Sequence, residues 1–514
     1  MKMKNYIKIS VLVLMIAISV NSCVKQLDLA PVSSLSDASY WKTSDQVDAF
    51  VSGIEQAFRN NTQAFELLGE GRSDVFGTDP GSNSSFTGEA TQGVENLWNN
   101  TLDGNNPGVS NYGGFYFNIN QINLLIAKLN TLNIVTPANK NYYLGMAYGM
   151  RAFYYFQLYK SWGKVIIQTE PTTAIDVSHL AKPASSEDSV MALIKSDMDL
   201  SASSFGNDYS FRNKKGYWSK SATLMLKAHV YLWTSYRGGG TADATIALNA
   251  LNDIQTNVPS LHLLSNFDDV FSSSNKGNAE MIYVIHNQLN ESSLPFSGTF
   301  EPQTGLIVNY YDSMQNRKFD VTTDNWGGLL RAPIKIATFR RFDDKDTRKW
   351  SSITAAYTLN NGDYQIAGAF VSKYKGEQNA GSRVYTDDYP IYRYADLLLL
   401  KAEAEVALDQ DPSNEINLVR ARAFGANYDP SVQGYPNQAV DADPKEAILQ
   451  ERFYEFIFEG KRWYDLRRMD ASGKYVFEYT SVPSSQPYML LWPIDRNTLT
   501  NNPALQQTPG YPIF

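Results

Sequence analysis

The 18 residues from Glu451 to Arg468, ERFYEFIFEGKRWYDLRR, hold four acids, five bases and six aromatics. Glu451, Glu455 and Glu459 recur at every fourth position, so on a helix they form one stripe of like charge that repels itself. A chain can keep such a helix only where cations face it. Gly460 breaks the pattern, and Lys461, Arg462, Arg467 and Arg468 follow on what reads as a second helix. The spacing predicts an ion-pair network between these two helices, with Arg452 beside the stripe. Phe453, Phe456, Phe458, Trp463 and Tyr464 would pack around it. Acids and bases at this density also suit proton transfer or anion binding, but here the helical register favours a structural signature over catalysis.

The rest of the chain supplies the helices such a pair would join. Helical periodicity starts near Ser44, with Val47, Phe50, Val51, Ile54 and Phe58 at helical spacing, and returns in INQINLLIAKLN and NYYLGMAYGMRAFYYFQLYKSWG. In the latter, Gly145 and Gly149 leave room for a close neighbour. Further helices are expected at SSEDSVMALIKSDMDLSASSF, SKSATLMLKAHVYLWTSY, ADATIALNALNDIQTN, YRYADLLLLKAEAEVALDQ, SNEINLVRARAFG and DPKEAILQERFYEFIFEG. Stacked pairs of tetratricopeptide kind follow from this pairing, although no 34-residue period is visible. Between Pro259 and Pro390 the signal changes: MIYVIHNQ, PIKIATFRRF and FVSKYKG have short-strand character. The Gly-, Asn- and Ser-rich segment from Gly69 reads as long loops. The expected fold is therefore mostly α: tetratricopeptide-like stacked helix pairs with a loop-rich region containing short strands.

At the N-terminus, Lys2, Lys4 and Lys8 precede an apolar run from Ile9 to Val20 and then Cys23, the single cysteine. A run this short reads as an export signal, since a membrane-spanning helix needs about 20 apolar residues. A cysteine at its end resembles a bacterial lipobox, in which residues 1–22 are removed and Cys23 is lipidated, although Val20 stands where Leu is usual. Cleavage removes three lysines and no acid, taking the net charge from -8 to -11. Such a balance, without a basic run, argues against nucleic acid as a partner.

Five segments, taken in order, resemble the SusD/RagB family of nutrient-binding lipoproteins from the outer membrane of Bacteroidetes. They are RAFYYFQLYKSWG, PIYRYADLLLLKAEAE, INLVRARAF, ERFYEFIFEGKRWYDLRR and the tail LWPIDRNTLTNNPALQQTPGY. Asp495, Thr508 and Thr347 depart from the family pattern. The resemblance implies a lipid-anchored, cell-surface binding protein that is not an enzyme, needs no cofactor and sits as a lid on a SusC-like TonB-dependent transporter. It implies a signal peptide at 1–22, a lipidated tether at 23–43 and a body at 44–514. Within that body a helical scaffold spans about 44–258 and 391–470, a ligand region about 69–117 and 259–390, and a tail 471–514. The expected cargo is an oligosaccharide or polysaccharide. A peptide or other nutrient is the alternative, and a surface glycoside hydrolase or protein-binding scaffold is less favoured.

Sugar binding asks for flat aromatic faces on loops, flanked by groups that bond hydroxyls. Trp98, Trp326 and Trp350 are the loop tryptophans. Trp326, beside Gly327 and Gly328 in a polar turn, has little reason to be buried. Tyr310 and Tyr311 follow a short strand, and Arg72 and Asp74 lie in the early loop that the family places near ligand. No metal is expected: His179, His229, His262 and His286 are far apart, and Asp343, Asp344 and Asp346 lack full EF-hand spacing for Ca²⁺. No nucleophile elbow or phosphate loop is present.

Overall fold

The computed structural model describes residues 40–79, 82–172, 181–312, 314 and 317–513; the signal segment, Cys23 and His179 lie outside them. Helix α1 (Ser44–Arg59) opens on a reciprocal cap. The Thr43 hydroxyl accepts the Gln46 N–H, and the Gln46 side chain accepts the Thr43 N–H. Its buried face is Val47, Val51, Ile54 and Phe58. Next come α2 (Thr62–Glu70), α3 (Glu95–Asn99), α4 (Tyr112–Thr131), α5 (Pro137–Trp162), α6 (Glu187–Phe205), α7 (Lys220–Thr234) and α8 (Gly240–Asn257). Two corrections concern the loops expected over Gly69–Asn111: Gly69 belongs to α2, and Glu95–Asn99 form α3.

The middle block holds β1 (Met281–Ile285), β2 (Tyr311–Asp312), β3 (Arg317–Lys318), β4 (Ile353–Asn360), β5 (Asp363–Val371), β6 (Glu377–Asn379), β7 (Ser382–Val384) and β8 (Tyr389–Arg393). Short helices α9 (Ile336–Arg340) and α10 (Thr347–Ser352) lie among them. Half of PIKIATFRRF, expected as a strand, is α9; its one sheet-like residue, Ile334, bridges Phe76 and Ala369. β1 pairs antiparallel with β8, and a four-stranded sheet runs β3-β2-β4-β5. The β4–β5 hairpin closes on Asn361 (φ 52°) and Gly362 (φ 91°), the left-handed pair that a tight hairpin turn requires. Helices resume with α11 (Tyr394–Ala407), α12 (Ser413–Phe424), α13 (Pro444–Phe456) and α14 (Arg462–Arg468).

The packing is a stack. α1 meets α4, α4 meets α5, α5 meets α6, α6 meets α7 and α7 meets α8; α8 passes the series to α11, which packs on α12 and α13. The chain is thus mostly α and built of stacked helix pairs. Gly145 and Gly149 of α5 do admit close neighbours, but these are aromatic rings. A Cβ on Gly145 would stand 2.7 Å from the Phe205 ring, and one on Gly149 2.1 Å from Trp218 Nε1.

The acid stripe finds its cations, but mostly not on α14. Glu451 pairs with Arg348 (2.6 Å) and Arg420 (2.9 Å). Glu455 takes Arg348 (3.1 Å), Arg393 (2.6 Å) and Arg422. Glu459 takes Lys373 (2.5 Å) and Arg393 (2.8 Å). These cations come from α10, α12, and the ends of β5 and β8. Of the expected helix-to-helix contacts, Arg452 pairs with Asp465 (2.9 Å), while Arg468 turns to Glu403 (2.8 Å) on α11 and to Asp465 (2.7 Å). The turn between α13 and α14 is left-handed at Phe458 (φ 64°) and Gly460 (φ 61°). It docks on α2, where the Glu70 carboxylate accepts the N–H groups of Phe458 (2.8 Å) and Gly460 (3.1 Å). Two buried acids here lack a full cationic counterpart. Burial, opposed by the Tyr389 hydroxyl and Lys373, pushes Glu66 up to about 7; burial and then Glu66 itself push Glu70 well up.

Candidate ligand-binding site

Trp326 closes a small apolar cluster against the four-stranded sheet, with Ile307, Phe319, Leu330, Ala356 and Phe370. Its ring meets Phe370 edge-on at 5.1 Å. It is 8% exposed, which corrects the expectation of an open turn. The reason is Arg383, whose guanidinium covers the ring at 4.4 Å and donates to the carbonyls of Asn325 (3.1 Å) and Thr323 (3.1 Å). The polar turn is thereby tied down by the Arg383 side chain.

Trp326 nevertheless forms part of the wall of a cleft of about 590 Å³, and Trp350 stands in the same wall. Trp350 was expected on a loop; it sits on α10, half-buried, its ring edge-on to Phe339 at 5.8 Å and its Nε1 donating to the Asp344 carbonyl (2.9 Å). Asp346 fixes that helix by capping it through the Arg348 N–H (3.0 Å). Around the two indoles are Arg317, Lys375, Arg383, Asp312, Asp324 and the hydroxyls of Thr323, Thr354 and Ser372. Arg317 grips Asp324 through two bonds (2.6 and 3.1 Å), and Asp312 accepts the Met314 N–H (2.7 Å). The cleft offers aromatic surface with donors and acceptors, which suits holding a polar ligand.

The other expected site residues go elsewhere. Arg72 is fully buried, sandwiched by Trp463 (4.3 Å) and Trp492 (5.0 Å), and its donors are used by Asn100 and the carbonyls of Met489 and Leu491. Asp74 is buried between Arg462 (2.9 Å) and Arg341 (2.6 Å). Although burial works against it, those two guanidiniums hold its carboxyl well below the usual range. Trp98 is buried on α3. All three correct the reading of this segment as a ligand-facing loop: it is interior backbone whose polar groups have partners. Tyr310 is half-buried and donates to the Phe86 carbonyl (2.8 Å). Tyr311 lies on β2 with Tyr364 at 5.4 Å, one residue from Asp312 and so on the other face of the sheet from the cleft. Asp343, Asp344 and Asp346 serve Lys345 N–H, Lys349 and Arg348, and among the described residues no group of three metal-ligating side chains converges.

Sequence reasoning missed Arg317, Lys375, Arg383, Asp324 and Ser372. A usable signal was present in TLNNGDYQ, whose central Asn-Gly between alternating apolar residues marks a hairpin and hence the sheet edge that shapes the cleft.

A second cleft, about 530 Å³, lies between α1 and β1 over Glu55. Glu55 accepts the Trp218 N–H (3.2 Å) and the Tyr283 O–H (3.0 Å), and burial pushes it up to about 7. A raised native value means that the folded state keeps a proton the unfolded chain has released. At this group stability is therefore highest below about pH 4.5 and falls as pH rises through 7. Glu55→Gln keeps an acceptor and removes the charge. It should raise stability at pH 8 by about 1–3 kcal/mol and give no gain at pH 4. Urea midpoints at the two pH values check this; equal effects at both would refute it.

The fold and cleft define a class: a helix-repeat protein whose inserted, strand-containing block carries a ligand-sized recess. The chain belongs to the SusD family. A family model described as "SusD family" matches residues 341–511, and one described as "Starch-binding associating with outer membrane" matches 27–232. The solved structure of B. fragilis NanU is 43% identical, with a TM-score of 0.86, covering 94% of this chain and all of that one. A SusD superfamily protein from Bacteroides vulgatus is 40% identical, with a TM-score of 0.83 over 92% of this chain and all of its own. SusD-like protein P38 of Formosa agariphila is 27% identical over 99% of this chain and all of its own length.

Proposed function

We propose that the cleft at Trp326 and Trp350 captures an oligosaccharide or polysaccharide outside the cell and delivers it to a SusC-like TonB-dependent outer-membrane transporter. The observation that carries this reading is the meeting of two indoles, 24 positions apart in sequence, in one 590 Å³ recess edged by hydroxyls, guanidiniums and carboxylates. Rings of this kind stack on the apolar faces of sugars while the polar rim orients hydroxyls. The starch-binding description of the family supports the same cargo class. Lipidation at Cys23 would hold the protein at the membrane, because several acyl chains anchor stably where one does not. The cleft acids bond Arg317 and the Met314 N–H, which supports a role in orienting a ligand.

Native affinity electrophoresis of protein lacking residues 1–23, in gels containing different polysaccharides, tests the reading. One polysaccharide should retard the wild type, and Trp350→Ala should weaken that binding at least about tenfold, or 1.4 kcal/mol. Trp350 is the better probe because Trp326 also fills a core. Retardation unchanged in Trp350→Ala would move the site elsewhere. A wild type that no polysaccharide slows, but that binds peptides, would replace the glycan cargo with a peptide. Recovery of a barrel transporter with the full-length lipoprotein from membranes tests the delivery step.

A further inference from the structure

Three cations gather where the C-terminal turn of α5 meets α7 and α14, and none has a carboxylate partner among the described residues. Arg237 donates to the carbonyls of Trp233 (3.0 Å), Arg468 (3.3 Å) and Arg467 (2.6 Å). Arg467 donates to the Lys160 carbonyl. The half-buried Lys160 side chain lays its ammonium 3.8 Å over the Tyr464 ring, and among the described residues no group accepts a hydrogen bond from it. Carbonyls and ring faces soften a cation's desolvation without cancelling its charge.

Beside Lys160 is a cavity of about 60 Å³ walled by Gln157, Tyr464, Lys461, Asp465 and Arg468, with Glu459 and His229 also facing it. The acids there are already spent. Asp465 is shared by Arg452 and Arg468, and Glu459 by Lys373 and Arg393. His229 bonds Asp396 (3.0 Å), and Lys461 donates to the Ile391 carbonyl (2.7 Å) and pairs with Asp396 (3.5 Å). Gln157, 7% exposed, has its Oε1 unpartnered at this wall; turning the amide presents N–H groups to the cavity instead. The polar end of the wall is thus rich in donors and positive charge, the remainder is aromatic and apolar (Phe65, Phe153, Phe156, Trp233, Ile391 and Tyr392), and Lys160 is the cation of this wall without a carboxylate among the described residues.

We propose that this cavity holds a small monovalent anion, of chloride or bromide size, against the Lys160 ammonium. The volume admits one such ion or a few waters and excludes oxyanions with bulky substituents. Burial, then the like charges of Lys461 and Arg468, push the Lys160 ammonium down, so its loss of a proton is the competing way to remove the excess charge. This site is independent of the Trp326 cleft and of the glycan reading.

Thermal melts of the protein in sodium chloride, sodium bromide and sodium gluconate at equal ionic strength, together with bromide-soaked crystals, separate the two outcomes. Chloride and bromide should raise Tm saturably, by about 2–3 °C at a hundredfold excess over Kd, relative to gluconate. Lys160→Met should abolish that difference, and an anomalous bromide peak should lie beside Lys160 in the wild type. Absence of the peak overturns the proposal and leaves a neutral amine with water in the cavity. So does an equal halide effect in Lys160→Met. Should that variant fail to fold, the wild-type bromide crystals alone decide.

Discussion

Arg393→Met should lower the unfolding free energy by about 3–5 kcal/mol at pH 7, the range for removing one partner from a buried ionic network. Arg393 is fully buried at the end of β8 and binds three carboxylates: Glu280 (2.8 Å), Glu455 (2.6 Å) and Glu459 (2.8 and 2.9 Å). Methionine matches much of its volume, so the loss is electrostatic and not a cavity. After substitution Glu280 keeps Arg422, Glu459 keeps Lys373, and Glu455 keeps Arg348 and Arg422, leaving acids in excess. Burial alone would raise Glu455, but Arg422, Arg393 and Arg348 hold it well below the usual carboxylate range. A depressed native value contributes stability above the unfolded value of about 4.3, and that contribution is lost as pH falls below it. The penalty of Arg393→Met should accordingly shrink on acidification from pH 7 towards pH 3. Urea is the denaturant of choice, because guanidinium chloride would screen the charges under test. A variant within 1 kcal/mol of wild type at pH 7 would show that the network adds nothing beyond its hydrophobic replacement.

That network also shows how far the sequence could be read. Three glutamates at helical spacing state that cations must face them, and they do. Which cations is a matter of topology: Arg348, Lys373, Arg393, Arg420 and Arg422 are scattered over four segments, while on α14 Arg462 and Arg468 point to other acids and Arg467 to a backbone carbonyl. The long amphipathic helices were legible because each carries its own periodicity. The block between α8 and α11 was not, since its short strands are held by pairing with distant residues, as β1 with β8. The site divides in the same way. Trp326 and Trp350 stand out as large aromatics in polar sequence, and their convergence in one cleft depends on the sheet between them. Arg72 and Asp74 look like loop residues because their neighbours are small and polar. Their burial becomes intelligible only once Arg462, Arg341 and the carbonyls of Met489 and Leu491 are in place, and each of those lies hundreds of residues away in the chain.

Gly69→Ala should cost about 3 kcal/mol, at the upper end of what overpacking a core usually does. A Cβ on Gly69 would fall 1.7 Å from the carbonyl oxygen of Gly460, and a backbone atom cannot rotate aside as a side chain does. That carbonyl belongs to the left-handed turn joining α13 to α14, which the Glu70 carboxylate ties to α2. Relief therefore requires α2 and the turn to part, loosening Glu459 and its ion pairs with Lys373 and Arg393. Gly53→Ala is the matched control. It is also in a helix, but no atom lies within 4 Å of its added Cβ, so the better helix former should stabilise by about 0.5–1 kcal/mol. Because Gly69 and Arg393 act on one turn through Glu459, their effects should not add. The double variant should lose at least 1 kcal/mol less than the sum of the single losses, whereas independent sites add to within about 0.5 kcal/mol. Additivity in urea titrations of the four proteins would mean that the turn and the ion network are held separately, and the acid stripe would then owe its place to the cations alone.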